Sequence, residues 1–121
     1  MWQKNYGGSS YDYARSIVQT SNGGYAVAGY TGSSANGDVT GQSKGSEDCW
    51  ILKLNSTGGI MWQKNYGGSS DDRTLSIVQT SDGGYAAAGR TASSASGDVT
   101  GQSRGGNDYW IVKIDANGAL Q

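Results

Sequence analysis

The 121-residue chain has no histidine, no proline and no phenylalanine, and only one cysteine. Without histidine there is no imidazole to ligate a metal or to act as the base of a Ser-His-Asp or Cys-His site. One cysteine closes no internal disulfide, so it carries no information about redox compartment. Charge is scarce as well. Nine basic and ten acidic residues make up 16% of the sequence and leave a net charge of −1, where about 25% charged residues is usual. Such a chain lacks the basic footprint of a nucleic-acid binder. No apolar run approaches the ~20 residues of a membrane-spanning helix, and no N-terminal stretch has the charged-then-apolar layout of a secretory signal. Neither nucleic acid nor a membrane is therefore an expected partner. Glycine is abundant instead, with 21 residues against a usual share of about 7%.

The dominant feature is a duplication. Residues 1–10, MWQKNYGGSS, return unchanged as residues 61–70, and 40 of 60 aligned positions are identical with no insertion or deletion. A period of this size points to a supersecondary unit that stacks on its own copies, and such units usually need three or more copies to cover their faces.

Each repeat reads as β structure. Apolar spacing at three and four residues is absent and glycine interrupts nearly every window, which excludes a stable helix. The first expected strand runs over about 14–20, centred on Ile17 and Val18. A Ser21-Asn22-Gly23-Gly24 turn, copied as Ser81-Asp82-Gly83-Gly84, leads into a second strand over about 25–31. Asn-Gly and Asp-Gly tolerate the positive φ angles of tight hairpins. A polar loop of about sixteen residues separates this from the third strand, Cys49 to Leu54, and its copy Tyr109 to Ile114. The fourth strand is Ile60 to Tyr66. The third strand is apolar on both faces, with Trp50, Leu52 and Leu54 on one and Cys49 and Ile51 on the other. A sheet with one wet face would alternate cleanly, so the pattern implies sheets stacked face to face. Stacked four-stranded antiparallel sheets are the blades of a β-propeller.

The expected organisation is an N-terminal outer strand in residues 1–12, a first blade in 13–67 and a second in 68–121. Trp2, Lys4 and Tyr6 lie on a strand with no third strand before it, and the second copy of the third strand has no fourth after it. An uncovered edge invites aggregation. The expectation is therefore strand exchange, in which Trp2–Tyr6 closes the last blade of another copy of the chain. Head-to-tail contacts of this kind close into a ring if the rotation allows. Three chains give six blades and four give eight, with the room needed at the rim favouring four.

These residues resemble a known family. Asp108, Trp110, Ile111 and Lys113, then Trp62-Gln63-Lys64-Asn65-Tyr66-Gly67-Gly68-Ser69-Ser70, Asp72, and Asp82-Gly83-Gly84-Tyr85 with Ala88-Gly89, are similar in order and spacing to the bacterial SBBP and "DGGY" β-propeller repeats. The resemblance covers the chain twice over. It implies four-stranded blades, proteins often exported to the bacterial surface or exterior, and no established catalytic chemistry.

Few residues offer chemistry. Asp38 and Thr40, with Asp98 and Thr100 in the copy, sit in the longest loop, where binding residues concentrate. Their oxygens suit a sugar or a cation, or else an Asx-type turn that pins the loop. Asp12 and Asp72 are expected to accept backbone hydrogen bonds in the linker before the first strand, which outweighs reading Asp71-Asp72 as part of a calcium corner. No GxxxxGK[ST] phosphate loop exists, and no cofactor is expected. Trp2, Trp50, Trp62 and Trp110 fit blade-to-blade core better than a sugar platform. Tyr11, Tyr13 and Tyr30, expected to be exposed, become Asp71, Arg73 and Arg90 in the second repeat. Cys49 has no base to activate it and fits a small buried position. The expected function is a non-enzymatic scaffold. The alternative is a lectin-like module holding a carbohydrate in inter-blade clefts.

Overall fold

The structure, a computed structural model, describes all 121 residues, Met1–Gln121. It is all-β, with seven antiparallel strands and no helix. Strands β1 (Asp12–Gln19), β2 (Tyr25–Thr31), β3 (Asp48–Leu54) and β4 (Ile60–Tyr66) form a first sheet in the order β1-β2-β3-β4. Strands β5 (Asp72–Gln79), β6 (Tyr85–Thr91) and β7 (Asp108–Ile114) form a second in the order β5-β6-β7. The strands fall within two residues of those expected from the sequence.

Local chemistry sets these boundaries. At the β1–β2 turn Gly23 adopts φ 87°, and the Asn22 side chain accepts from the Thr20 hydroxyl (2.5 Å) and the Gly24 amide (3.2 Å). Asp82 repeats the arrangement at the β5–β6 turn. Between Ala14 and Ser16 the β1–β2 register shifts by one residue, as it does between Thr74 and Ser76 in β5–β6. This β-bulge bends the strand and increases its twist. Gly29 lies opposite, and any side chain there would strike the Tyr13 carbonyl.

The two sheets stack. Ala26, Ala28, Cys49 and Ile51 of the first sheet join Ile77, Tyr85, Ala87, Val112 and Ile114 of the second in one buried cluster. The opposite face of the first sheet carries its own cluster of Val39, Trp50, Leu52 and Leu54, flanked by Tyr6, Tyr25 and Val27. β3 is thus buried along its whole length, as its two apolar faces imply. β7 has the same pattern but only one face covered: Tyr109 and Ile111 are 95% and 65% exposed, where their counterparts Cys49 and Ile51 are both 0%.

The linker between sheets, Gly67 to Ser70, is held by Asp72. Its buried carboxylate accepts from the Gly68 amide (2.8 Å), the Ser93 hydroxyl (3.1 Å) and the Thr91 hydroxyl. Asp12 does the same with Gly8, Thr31 and Ser33. This is the linker role expected for both aspartates.

One expectation is corrected. Tyr11 and Tyr13 are exposed, but Tyr30 is only 8% exposed. It lies between the sheets, where the Arg73 guanidinium stacks 4.6 Å from its ring centre.

Replacing Asp72 with Ala removes a charged acceptor from three buried or half-buried donors. We expect a loss of about 2–4 kcal/mol in urea unfolding, against about 1–2 kcal/mol for Asp12→Ala at the more exposed copy. Equal losses at the two sites would contradict this account of the linker.

Candidate functional site

The two repeats diverge most in their surroundings at the N-terminal segment and at β7. Residues 1–10 form no ladder, yet side chains hold the segment firmly. The Trp2 indole donates to the Ser56 carbonyl (3.1 Å) and meets the Tyr25 ring edge-on at 6.0 Å. The Tyr6 hydroxyl donates to the Gly58 carbonyl (2.6 Å). Gly58, at φ +84°, turns the chain after β3 and leaves the surface bare where the Trp2 ring rests. The Gly7 amide donates to Asp38 Oδ2 (3.0 Å), and the Asp38 amide donates back to the Gly7 carbonyl (2.8 Å).

Each of these contacts has a copy sixty residues later. Trp62 donates to the Ala116 carbonyl (3.0 Å) and meets Tyr85 at 6.2 Å; Tyr66 donates to the Gly118 carbonyl (2.6 Å); the Gly67 amide donates to Asp98 Oδ2 (2.9 Å). Residues 2–7 therefore lie on the first sheet as residues 62–67 lie on the second. The difference is on the other side. Residues 62–66 are also laddered to β3, whereas residues 2–6 have no strand beside them. Burial raises the pKa of the Tyr66 hydroxyl; Tyr6, less enclosed, is raised by its burial and then by nearby Asp38.

β4 does more for β3 than share backbone bonds. The Trp50 indole donates to Gln63 Oε1 (2.8 Å), and Gln63 Nε2 donates to the Thr40 hydroxyl. Asn65 Nδ2 donates to the Gln42 carbonyl (2.9 Å) and to Asp48 Oδ2 (3.2 Å). On the second sheet the matching groups are Trp110, Thr100, Gln102 and Asp108. They border an open cleft of about 520 Å³. Beside β7, only Leu120 makes a bridge, to Ile114, and the Gln121 amide donates to Lys113 (2.9 Å).

The loop residues singled out from the sequence are placed as follows. Asp38 and Asp98 each anchor the glycine linker of their own repeat. Thr40 meets Gln63, while Thr100 lines the open cleft. The two Asp–Thr pairs sit on different sheets and do not converge. Trp2, Lys4 and Tyr6 flank the first sheet; Lys4 and Tyr6 line a cavity of about 210 Å³ that reaches Tyr13, Ala14 and Trp50.

The contacts between sheets could not be read from the sequence. Arg73 Nε donates to Glu47 Oε1 (2.7 Å) while its guanidinium covers Tyr30. The Thr74 hydroxyl donates to the Gly29 carbonyl (2.5 Å) and lies 3.1 Å from Cys49 Sγ. Ser46 donates to Asp71, and Lys44 Nζ lies 3.6 Å from Asp98. The partners stand far apart in sequence and meet only because the sheets stack. Asp48 is buried with Oδ1 unpartnered, and burial pushes its carboxyl pKa up.

No protein-family model and no curated protein sequence matches the chain.

The Cys49 thiol is fully buried, and burial pushes its pKa up to about 12 from an ordinary 9.0. It should resist alkylation at pH 8.5 in the folded protein and react only as the chain unfolds. The raised value favours the folded state while the unfolded thiol also stays protonated, so this contribution is full below about pH 9 and is lost as pH rises toward 12. Rapid alkylation without unfolding would contradict the packing at Thr74.

Proposed function

We propose that the chain is a non-enzymatic scaffold unit that assembles head-to-tail with its own copies into a closed β-propeller, each sheet serving as one blade. The N-terminal segment of one copy would supply the fourth strand beside β7 of the next. Three or four chains would close the ring, and four leaves more room for the long loops at residues 32–47 and 92–107.

One observation carries this reading. Trp2, Tyr6 and Gly7 are held on the first sheet by the same bonds that hold Trp62, Tyr66 and Gly67 on the second. These shared bonds support reading the segment as an outer strand that finds its ladder on another copy. Docked on β7, Gln3 would meet Trp110 and Thr100 as Gln63 meets Trp50 and Thr40, and Asn5 would meet Gln102 and Asp108 as Asn65 meets Gln42 and Asp48. A ladder on β7 would also remove its exposed edge.

Light scattering should give a fixed whole number of chains, three or four, independent of concentration over the micromolar range. Deleting residues 1–6 should abolish that species. A folded monomer throughout this range, or an unchanged oligomer after the deletion, would refute the proposal.

A further inference from the structure

Resting on that ring, we infer that the contact between copies is specified by residues that were exchanged in pairs between the two repeats: Tyr109 of one copy fills the cavity over Ala14 of the next, and Arg90 stacks on its Tyr13.

The contact inside the chain is the template. There the far face of the first sheet meets the near face of the second through Cys49–Thr74, Tyr30–Arg73, Glu47–Arg73, Ser46–Asp71 and Lys44–Asp98. A shift of sixty residues gives the equivalent pairs between copies. The far face of the second sheet offers Tyr109, Arg90, Asn107, Gly106 and Arg104. The near face of the first offers Ala14, Tyr13, Tyr11 and Asp38.

Four of the five pairs complement one another although almost every member differs; the fifth, the Glu47–Arg73 ion pair, becomes Asn107 beside Tyr13 and is lost. A small Cys against a mid-sized Thr becomes a large Tyr against a small Ala. The Ala leaves a cavity of about 210 Å³, walled by Tyr13, Gly29, Trp50 and Leu52, while Tyr109 projects almost fully into solvent. Tyr over Arg becomes Arg over Tyr, which preserves the cation–π contact with its partners swapped. Lys44–Asp98 becomes Arg104–Asp38, which preserves the ion pair. Small Ser46 beside Asp71 becomes Gly106 beside Tyr11. Tyr13 and Tyr30 already stack across β1 and β2 at 5.2 Å, and Arg73 and Arg90 are direct neighbours across β5 and β6. Joined copies would therefore carry an unbroken belt, Tyr13–Tyr30–Arg73–Arg90–Tyr13, around the ring.

The test is a swap in the full chain, read by sedimentation velocity over a concentration series. Tyr13→Arg sets Arg against Arg90 and should move the assembly midpoint up by at least about tenfold; the double variant Tyr13→Arg, Arg90→Tyr rebuilds the Tyr30–Arg73 pair and should return it to within about threefold of the parent. Tyr109→Ala, at a side chain that supports nothing within the monomer, should weaken assembly by a similar factor and leave the circular dichroism of the dissociated chain unchanged. Variants that assemble like the parent, or a double variant no better than Tyr13→Arg, would overturn this interface while leaving the strand-exchanged ring standing. A parent chain that never assembles would overturn both.

Discussion

A strand that is apolar on both faces gains from a cover on each. β3 places Trp50, Leu52 and Leu54 to one side and Cys49 and Ile51 to the other, and each side requires a cover. On one side the second sheet supplies it. On the other, Tyr6 and Tyr25 cover part of the surface, and Ile17 stays exposed. The second sheet inherits the same pattern, so its far face meets water through Tyr109, Ile111 and Val78. Apolar burial favours folding by roughly 25 cal/mol per Å². The repeat therefore has a standing tendency to add another layer, and the rest of the architecture decides in what direction.

Direction comes from polar groups, not from the core. A hydrophobic face is indifferent to rotation, but Asp72 bonded to Gly68, Thr91 and Ser93 allows the linker one path. Asp98 on Gly67, and Trp62 and Tyr66 on the turn at Gly118, fix where β4 crosses to the second sheet. Gly118 and Gly58 take part twice. Their positive φ closes the turn, and their lack of a side chain lets an indole ring lie against the backbone. Because all these groups occur in both repeats, the relation between sheets is written into each repeat. The sixty-residue period is thus a statement about geometry as well as sequence.

Much of this was legible beforehand. Glycine turns after Asn22 and Asp82, branched residues at Ile17 and Val18, and the two-faced pattern at 49–54 are local signals, and the seven strands lie where such signals put them; the strand expected at Trp2–Tyr6 is not formed, because nothing lies beside it to ladder with. The linker role of Asp12 and Asp72 was also readable, since an aspartate just after Gly-Gly-Ser-Ser has nearby amides to accept from. The face-to-face contacts were not readable. Tyr30 looks like a surface aromatic on a strand of small residues, and its burial depends on Arg73, which arrives from another sheet. Nor does the sequence distinguish Asp38 as a binding residue from Asp38 as an anchor. The bond from the Gly7 amide shows the anchor, and Gly7 lies 31 residues away.

The twenty positions at which the repeats differ then acquire a meaning. Five of them in the first repeat, residues 30, 44, 46, 47 and 49, lie on the surface that meets the second sheet, and three more, 11, 13 and 14, lie on the face that would meet another copy in the proposed assembly. Random drift at an interface would leave mismatches, because each partner changes alone. Under the proposed contact most of the changes compensate: Tyr109 would face Ala14 where Cys49 faces Thr74, and Arg90 would face Tyr13 where Tyr30 faces Arg73, while the Glu47–Arg73 ion pair has no counterpart at Asn107 and Tyr13. Compensation of this kind has force only if both contacts are made, one within the chain and one between chains. Under the proposed assembly, chain connectivity sets the alternation of blades around the ring, and the divergence of the repeats fits each sheet to the different neighbour it would meet.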